Sequence, residues 1–290
     1  MRLARYEGRL AVLGSEGGAF LADIGGAEFD ERAVDAIERW DELEDIVGTA
    51  PRADFAIDPA KLGAPILMPR QVFGIGMNYR DHALEMGLTE EQFPPAPSVF
   101  TKYPMSITGP QSEIALSSRS VDYEAELVVV MKKHSDTVSE ADAWSHVAGV
   151  MVGNDLSDRA VQVPPGNPVP QFSMGKSFKG FSPTGPALVS LSEISDPDAL
   201  ELGCRVGDEI LQSGNTKDLI FSVPELIAWL SAICPLLPGD TIWTGTPAGV
   251  GNARDPQRML KPGETLTTWI GGVGEMSNPL VASPTYSTQR

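Results

Sequence analysis

The sequence predicts an α+β fold, a strand-rich body with a small α+β unit ahead of it. After about residue 70, apolar runs of strand length dominate, punctuated by many of the 24 prolines and 29 glycines. That is the pattern of strands separated by turns. Helical periodicity is confined to a few short stretches. Strands and helices do not alternate regularly, as a doubly wound sheet requires.

Residues 1–70 read as the small leading unit. Arg2 to Tyr6, Arg9 to Leu13 and Ala19 to Ile24 are short strands separated by glycine-containing turns. Asp30 to Val47 carries Val34, Ile37, Trp40, Leu43 and Ile46 at helical spacing. The main body spans 71–283. It opens with a strand over Val72 to Ile75, followed by a glycine turn and a short helix ending near Gly87. Leu127 to Met131 is uniformly apolar and reads as a strand buried on both faces. Val147 to Val152 and Thr241 to Thr244 read as further strands. Ser139 caps one helix, and Ser222-Val-Pro-Glu225 is a capping box with proline in the first turn. Residues 284–290 read as a frayed tail.

A chain of 290 residues buries a substantial core without staples. Its net charge of −17 argues against nucleic-acid and anionic-membrane partners. It does not exclude an anionic small substrate, because a metal ion and a few basic residues reverse the sign locally. The sequence has no apolar run of membrane-spanning length and no signal-peptide pattern. Cys204 and Cys234 are too few and too isolated for a disulfide framework or a zinc site. A reduced, cytoplasmic, soluble protein is expected.

The chemistry concentrates first in Asp122-Tyr-Glu-Ala-Glu-Leu127 and Gly153-Asn-Asp155. Side chains alternate along a strand, so Glu124 and Glu126 point the same way, roughly 7 Å apart. Carboxylates at the mouth of an apolar strand are costly unless something neutralises them. With Asp155 after the next apolar run, these hard oxygen donors suit Mg²⁺, Mn²⁺ or Ca²⁺ rather than zinc. The alternatives are a strand with one solvated face for the glutamates and a turn residue for Asp155.

Gly74-Ile-Gly-Met-Asn-Tyr-Arg-Asp-His-Ala-Leu-Glu85 is the second such stretch. His82 and Glu85 are three residues apart and share a helix face. A carboxylate beside imidazole fixes its tautomer and raises its basicity, giving a general-base pair. An ordinary surface ion pair has the same spacing. The stretch is not a dinucleotide fingerprint, since Tyr79 stands where the third glycine belongs.

Arg159 and Gln162 follow Asp155 and fall near its face if the chain curls into a helical turn. There they suit a substrate carboxylate or carbonyl, and Arg159 equally suits a surface ion pair. Gly175-Lys-Ser-Phe178 fails as a P-loop because Pro170 replaces the required glycine. Lys176 reads as a cation facing a metal-bound anion or as a surface lysine. Thr246, in the glycine-rich turn Gly245 to Gly251, is placed to donate a hydrogen bond or merely shapes the turn. Lys102 and Ser106 are weaker candidates, and His134 and His146 are bystanders. The sequence contains no Gly-x-Ser-x-Gly elbow.

Taken together, Gly76 to His82 with Glu85, Lys102 to Gly109, Asp122 to Leu127, Asn154 to Gln162, Gly175 to Gly185 and Gly239 to Gly251 resemble the fumarylacetoacetate hydrolase family, in order and across the whole main body. The resemblance implies a mixed sheet rolled into an incomplete β-barrel, and a homodimer. It implies that Glu124, Glu126 and Asp155 ligate Mg²⁺, or Mn²⁺ or Ca²⁺. It implies that His82 and Glu85 form a dyad on a lid, and that Arg159, Gln162, Lys176 and Thr246 contact substrate. Residues 88–97 vary within the family and leave the substrate open.

The expected reaction is metal-assisted hydrolysis of an acylpyruvate, a 2-oxo acid. His82, oriented by Glu85, activates water. The leaving group is an enolate, whose charge the metal and Lys176 stabilise. The same residues serve tautomerisation of 2-hydroxyhepta-2,4-diene-1,7-dioate in aromatic catabolism, or decarboxylation of oxaloacetate. An inactive metal-binding scaffold is the non-enzymatic alternative.

Overall fold

The computed structural model describes residues 1–25, 33–49, 53–167, 169–284 and 286. Its largest sheet runs, in spatial order, through Gly18–Phe20, Arg9–Leu13, Arg2–Tyr6, Ser182–Ser190, Val147–Asn154, Ala125–Met131, Thr241–Trp243, Val72–Gly76 and Ser98–Thr101. Most neighbours are antiparallel, but Thr241–Trp243 and Val72–Gly76 are parallel. A second sheet orders Glu209–Asn215, Glu201–Val206, Thr265–Ile270, Gly274–Ala282 and Ile114–Leu116. Among the described residues no sheet closes on itself, so the architecture is the expected α+β arrangement of open mixed sheets. The leading strand Arg2–Tyr6 is stitched antiparallel to Ser182–Ser190 of the main body.

The strand Ala125–Met131 shows why its sequence is apolar throughout. Leu127, Val129 and Met131 pack on one face against Leu226, Ile227 and Leu230 of the helix Val223–Ser231. Val128 and Val130 pack on the other against Trp243, Trp40 and Leu43. Both faces are covered, as a central strand requires. Glu126 continues the parity of Val128 and Val130.

Three elements differ from their expected form. The third strand ends at Phe20, and Leu21–Gly25 is helical, burying Leu21 with Ile37, Trp40 and Leu43. The helical stripe is two helices, Ala33–Glu38 and Trp40–Thr49, separated at Arg39, whose N–H reaches back only to Ala36 O. Positions 30–32 of the expected helix lie outside the described residues, as do 285 and 287–290 of the expected tail. The Ser139-capped helix Glu140–His146 is a 3₁₀ helix. The capping box at Ser222 and Glu225 is present as expected.

Candidate active site

Strand register brings the acidic residues together. Ala125 pairs with Asn154 and Glu126 with Gly153 in the antiparallel ladder. Asp155 therefore lies beside Glu124, and its N–H donates to Glu124 O at 2.7 Å. Asn154 locks the arrangement by accepting from Glu124 N at 2.9 Å. Carboxylate oxygens of Glu124, Glu126 and Asp155 lie within 4.8 Å of one another, and all three side chains are buried. One Glu126 oxygen accepts from Gly245 N at 2.9 Å. Gly245 has φ +99°, and a Cβ there would lie 2.9 Å from Asn78 Cβ. Only glycine aims that N–H at Glu126 without strain.

Cations crowd the cluster. Lys176 Nζ donates to Glu124 Oε2 and Asp155 Oδ2, both at 2.7 Å, and to Ser157 Oγ at 2.8 Å. Lys102, wholly buried, donates to Asp155 Oδ1 and to Phe181 O. Arg159 Nη2 reaches Glu124 Oε1 at 2.7 Å and Nη1 reaches Gln162 Oε1 at 2.8 Å. Asp158 caps the short helix Arg159–Gln162 that carries both side chains.

Burial raises the cost of ionising Glu124, but Lys176 and Arg159 more than offset it and hold its carboxyl down at about 2. Burial, together with Asp155 and Glu124, pushes Glu126 well above the usual carboxylate range. Burial also lowers Lys102 despite its contact with Asp155. Burial acts against the Lys176 ammonium as well, but Asp155 and Glu124 outweigh it and raise its affinity for the proton.

His82 and Glu85 lie in the helix Arg80–Glu85. His82 Nδ1 and Glu85 Oε1 are 2.6 Å apart, and Gly249 N donates to Glu85 Oε2 at 2.8 Å. Among the described residues no partner bonds His82 Nε2. His82, Glu124, Arg159, Gln162, Lys176 and Thr246 line one cavity of about 460 Å³. Thr246 spends its hydroxyl proton on Ala125 O, at 2.9 Å, and accepts from Gln212 Nε2. A cavity of similar volume, about 450 Å³, lies against Glu44 and Glu193 and includes none of these residues.

Sequence reasoning gave Asp122 no role, yet this fully buried carboxylate organises one side of the site. It accepts from Tyr123 N, Gly251 N and Asn252 N, and from Arg159 Nε and Nη2. Its even-numbered parity with Glu124 and Glu126 was the available signal. Gln212 was also missed. It ties Ala125 N to Thr246 and Pro247 O, and only the sheet topology brings it there.

The model for the C-terminal domain of fumarylacetoacetate (FAA) hydrolase matches residues 71–281. Oxaloacetate tautomerase YisK of Bacillus subtilis is 42% identical over 231 residues, covering 78% of this chain and 75% of that protein. An HpcE candidate from Mycobacterium smegmatis superposes with a TM-score of 0.89 at 44% identity, covering 98% of this chain and 100% of that one. Maleylpyruvate hydrolase from Sphingobium sp. SYK-6, in complex with manganese(II) and pyruvate, gives 0.81 at 28% identity, with 98% and 100% covered.

Proposed function

The chain belongs to the fumarylacetoacetate hydrolase family, and from that premise we propose that it is a divalent-metal-dependent enzyme interconverting the keto and enol forms of a 2-oxo dicarboxylic acid of the oxaloacetate type. One observation carries this reading. A base with an anchored carboxylate partner opens into the same cavity as Glu124, Lys176 and Arg159 of the charged cluster. The likeness to the B. subtilis oxaloacetate tautomerase supports the choice of substrate.

Glu124, Glu126 and Asp155 fit a hard divalent ion, being buried, oxygen-only and mutually close. When bound, the ion supplies a Lewis acid that polarises the 2-oxo group. Glu85, fixed by Gly249 N–H, holds His82 Nδ1 and leaves Nε2 as the base. His82 takes the proton from C3, the carbon next to the 2-oxo carbon, and the C3–H electrons become the C2=C3 bond. The 2-oxo oxygen takes up a proton, and the reverse path restores the ketone.

Lys176 and Arg159 hold Glu124 here, and Lys176 holds Asp155 as well. Were those oxygens to hold the ion, both cations would be placed to pair with the substrate's carboxylates and its developing negative charge. Gln162 steadies Arg159 by accepting from Nη1.

A second reading, hydrolysis of an acylpyruvate, draws support from the maleylpyruvate hydrolase neighbour. There the same base would act on water. Oxaloacetate enol decay, followed by absorbance with Mg²⁺-loaded protein beside an acylpyruvate cleavage assay, separates the two. Accelerated enol decay without cleavage is expected. Cleavage without enol decay would establish the hydrolase, and neither activity would overturn both readings.

A further inference from the structure

The cavity is divided in character. Its charged and polar groups are His82 of the dyad, Asn252, and Glu124, Arg159, Gln162, Lys176 and Thr246 of the carboxylate cluster and its supports. The rest of the lining is largely apolar, and four residues matter most. Met86 follows the dyad helix. Phe100 lies on the strand Ser98–Thr101. Val163 and Phe172 flank the segment after Gln162. Phe100 and Phe172 stack with ring centroids 6.0 Å apart, and Lys176 Nζ lies 5.1 Å from the Phe100 ring centre. The aromatic pair therefore begins where the cationic group ends. Met86, Val163 and Phe172 are 44%, 56% and 41% exposed, so this wall has unfilled apolar surface.

Size and charge lead to the same conclusion. A cavity of about 460 Å³ lies in the range that holds drug-sized ligands, and a four-carbon diacid fills only part of it. Among the described lining residues, the lysines and arginines are Lys176 and Arg159 alone, both committed to the carboxylate cluster. A second carboxylate reaching along the apolar wall would meet no lysine or arginine there. This weighs against a seven-carbon dioate and in favour of a substrate that is charged at one end and apolar at the other.

We propose that the cavity also enolises 2-oxo acids bearing an aryl or branched alkyl substituent on C3, with the substituent seated on Met86, Phe100, Val163 and Phe172. The inference rests on the enolising reading above and extends its substrate class. The reaction is the same balanced isomerisation. The C3–H bond breaks, a C2=C3 bond forms, the 2-oxo oxygen gains a proton, and no co-reactant is needed. Aromatic faces and a flexible methionine suit such a substituent.

Phenylpyruvate is the probe, with oxaloacetate measured in parallel on the Mg²⁺-loaded full chain. The expected result is enol–keto interconversion of both acids above the buffer rate. Phe172→Ala is expected to lower the ratio of phenylpyruvate to oxaloacetate kcat/KM by about tenfold or more, the scale of discrimination an apolar pocket contributes. Phe172→Lys is expected to lower that ratio further and to raise activity on the longer diacid 2-oxoadipate. Turnover of oxaloacetate but not phenylpyruvate would overturn this inference and leave the enolising reading standing. Turnover of neither would remove the reading itself. Equal loss on both acids in Phe172→Ala would show that the wall supports the site without selecting substrate, which also overturns the inference.

Discussion

Lys102 and Asp155 form an ion pair in which neither side chain has any exposed surface, and Lys176 holds the other oxygen of the same carboxylate. Asp155, a ligand in the proposed metal site, is thus gripped from behind by one lysine and from the front by another. The two differ in consequence, because only Lys176 lines the cavity.

Lys102→Met removes the rear cation at nearly constant volume. Breaking a buried pair costs about 3–5 kcal/mol, so the metal-free variant should unfold at markedly lower denaturant. Saturating Mg²⁺ should recover part of the loss, since a divalent ion restores positive charge beside Asp155. Paired denaturation curves in chelator and in Mg²⁺ check this. An identical loss in both would place Asp155 outside the ion site.

Metal uptake should release a proton. Burial and two neighbouring carboxylates raise Glu126, so it holds its proton in the ion-free protein at pH values where an ordinary carboxylate is charged. Ligation needs the charged form, so protons compete with the ion. Apparent affinity should rise with pH until pH exceeds the raised Glu126 value. Calorimetric titration with Mg²⁺ in two buffers of different ionisation heat measures the released proton. Heats independent of buffer would contradict the prediction.

His82→Ala should bind Mg²⁺ as the parent does and lose about 10²–10⁴-fold in turnover, the usual contribution of a positioned acid–base group. Glu85→Gln should also lose activity, because an amide oxygen that accepts from Gly249 N leaves an NH₂ facing His82 Nδ1, which moves the ring proton to Nε2. Full activity in His82→Ala would remove the base from the mechanism.

Asp122→Asn should act through Arg159. The carboxylate accepts backbone N–H groups from both Gly251 and Asn252 as well as the guanidinium. An amide there must turn an NH₂ toward some of those donors, at about 1–3 kcal/mol or more. We expect lower stability and a raised KM for carboxylate substrates, with Mg²⁺ affinity less affected. An unchanged KM in a folded variant would show that Arg159 does not hold substrate.

Much of this was legible from the residues in order. The two-residue period of Glu124 and Glu126, the apolar run after them and the three-residue spacing of His82 and Glu85 are local signals that survive folding unchanged. The α+β class was legible from strand density, and the mixed sheet from the family resemblance. What escaped depends on partners distant in the chain. Lys102, only a weaker candidate by sequence, finds its role against Asp155, 53 residues on. Asp122 finds its role against the N–H groups of 251 and 252, about 130 residues on. No periodicity predicts such meetings, because strand order in space decides them. The Ala19 to Ile24 strand failed for a related reason. Leu21 is needed in the core beside Trp40 and Leu43, and packing overrode local propensity.

The pairing of Ala125 with Asn154 and of Glu126 with Gly153 has a consequence for how the protein acquires its chemistry. Sliding one strand past the other by a single position would part Asp155 from Glu124 and turn alternate valines to the wrong layer. On the proposed ligand set, a misaligned molecule would therefore be both poorly packed and blind to metal. With those ligands, ion binding would report on correct assembly of the centre, and a chain that gained its core would gain its grip on the cation with it.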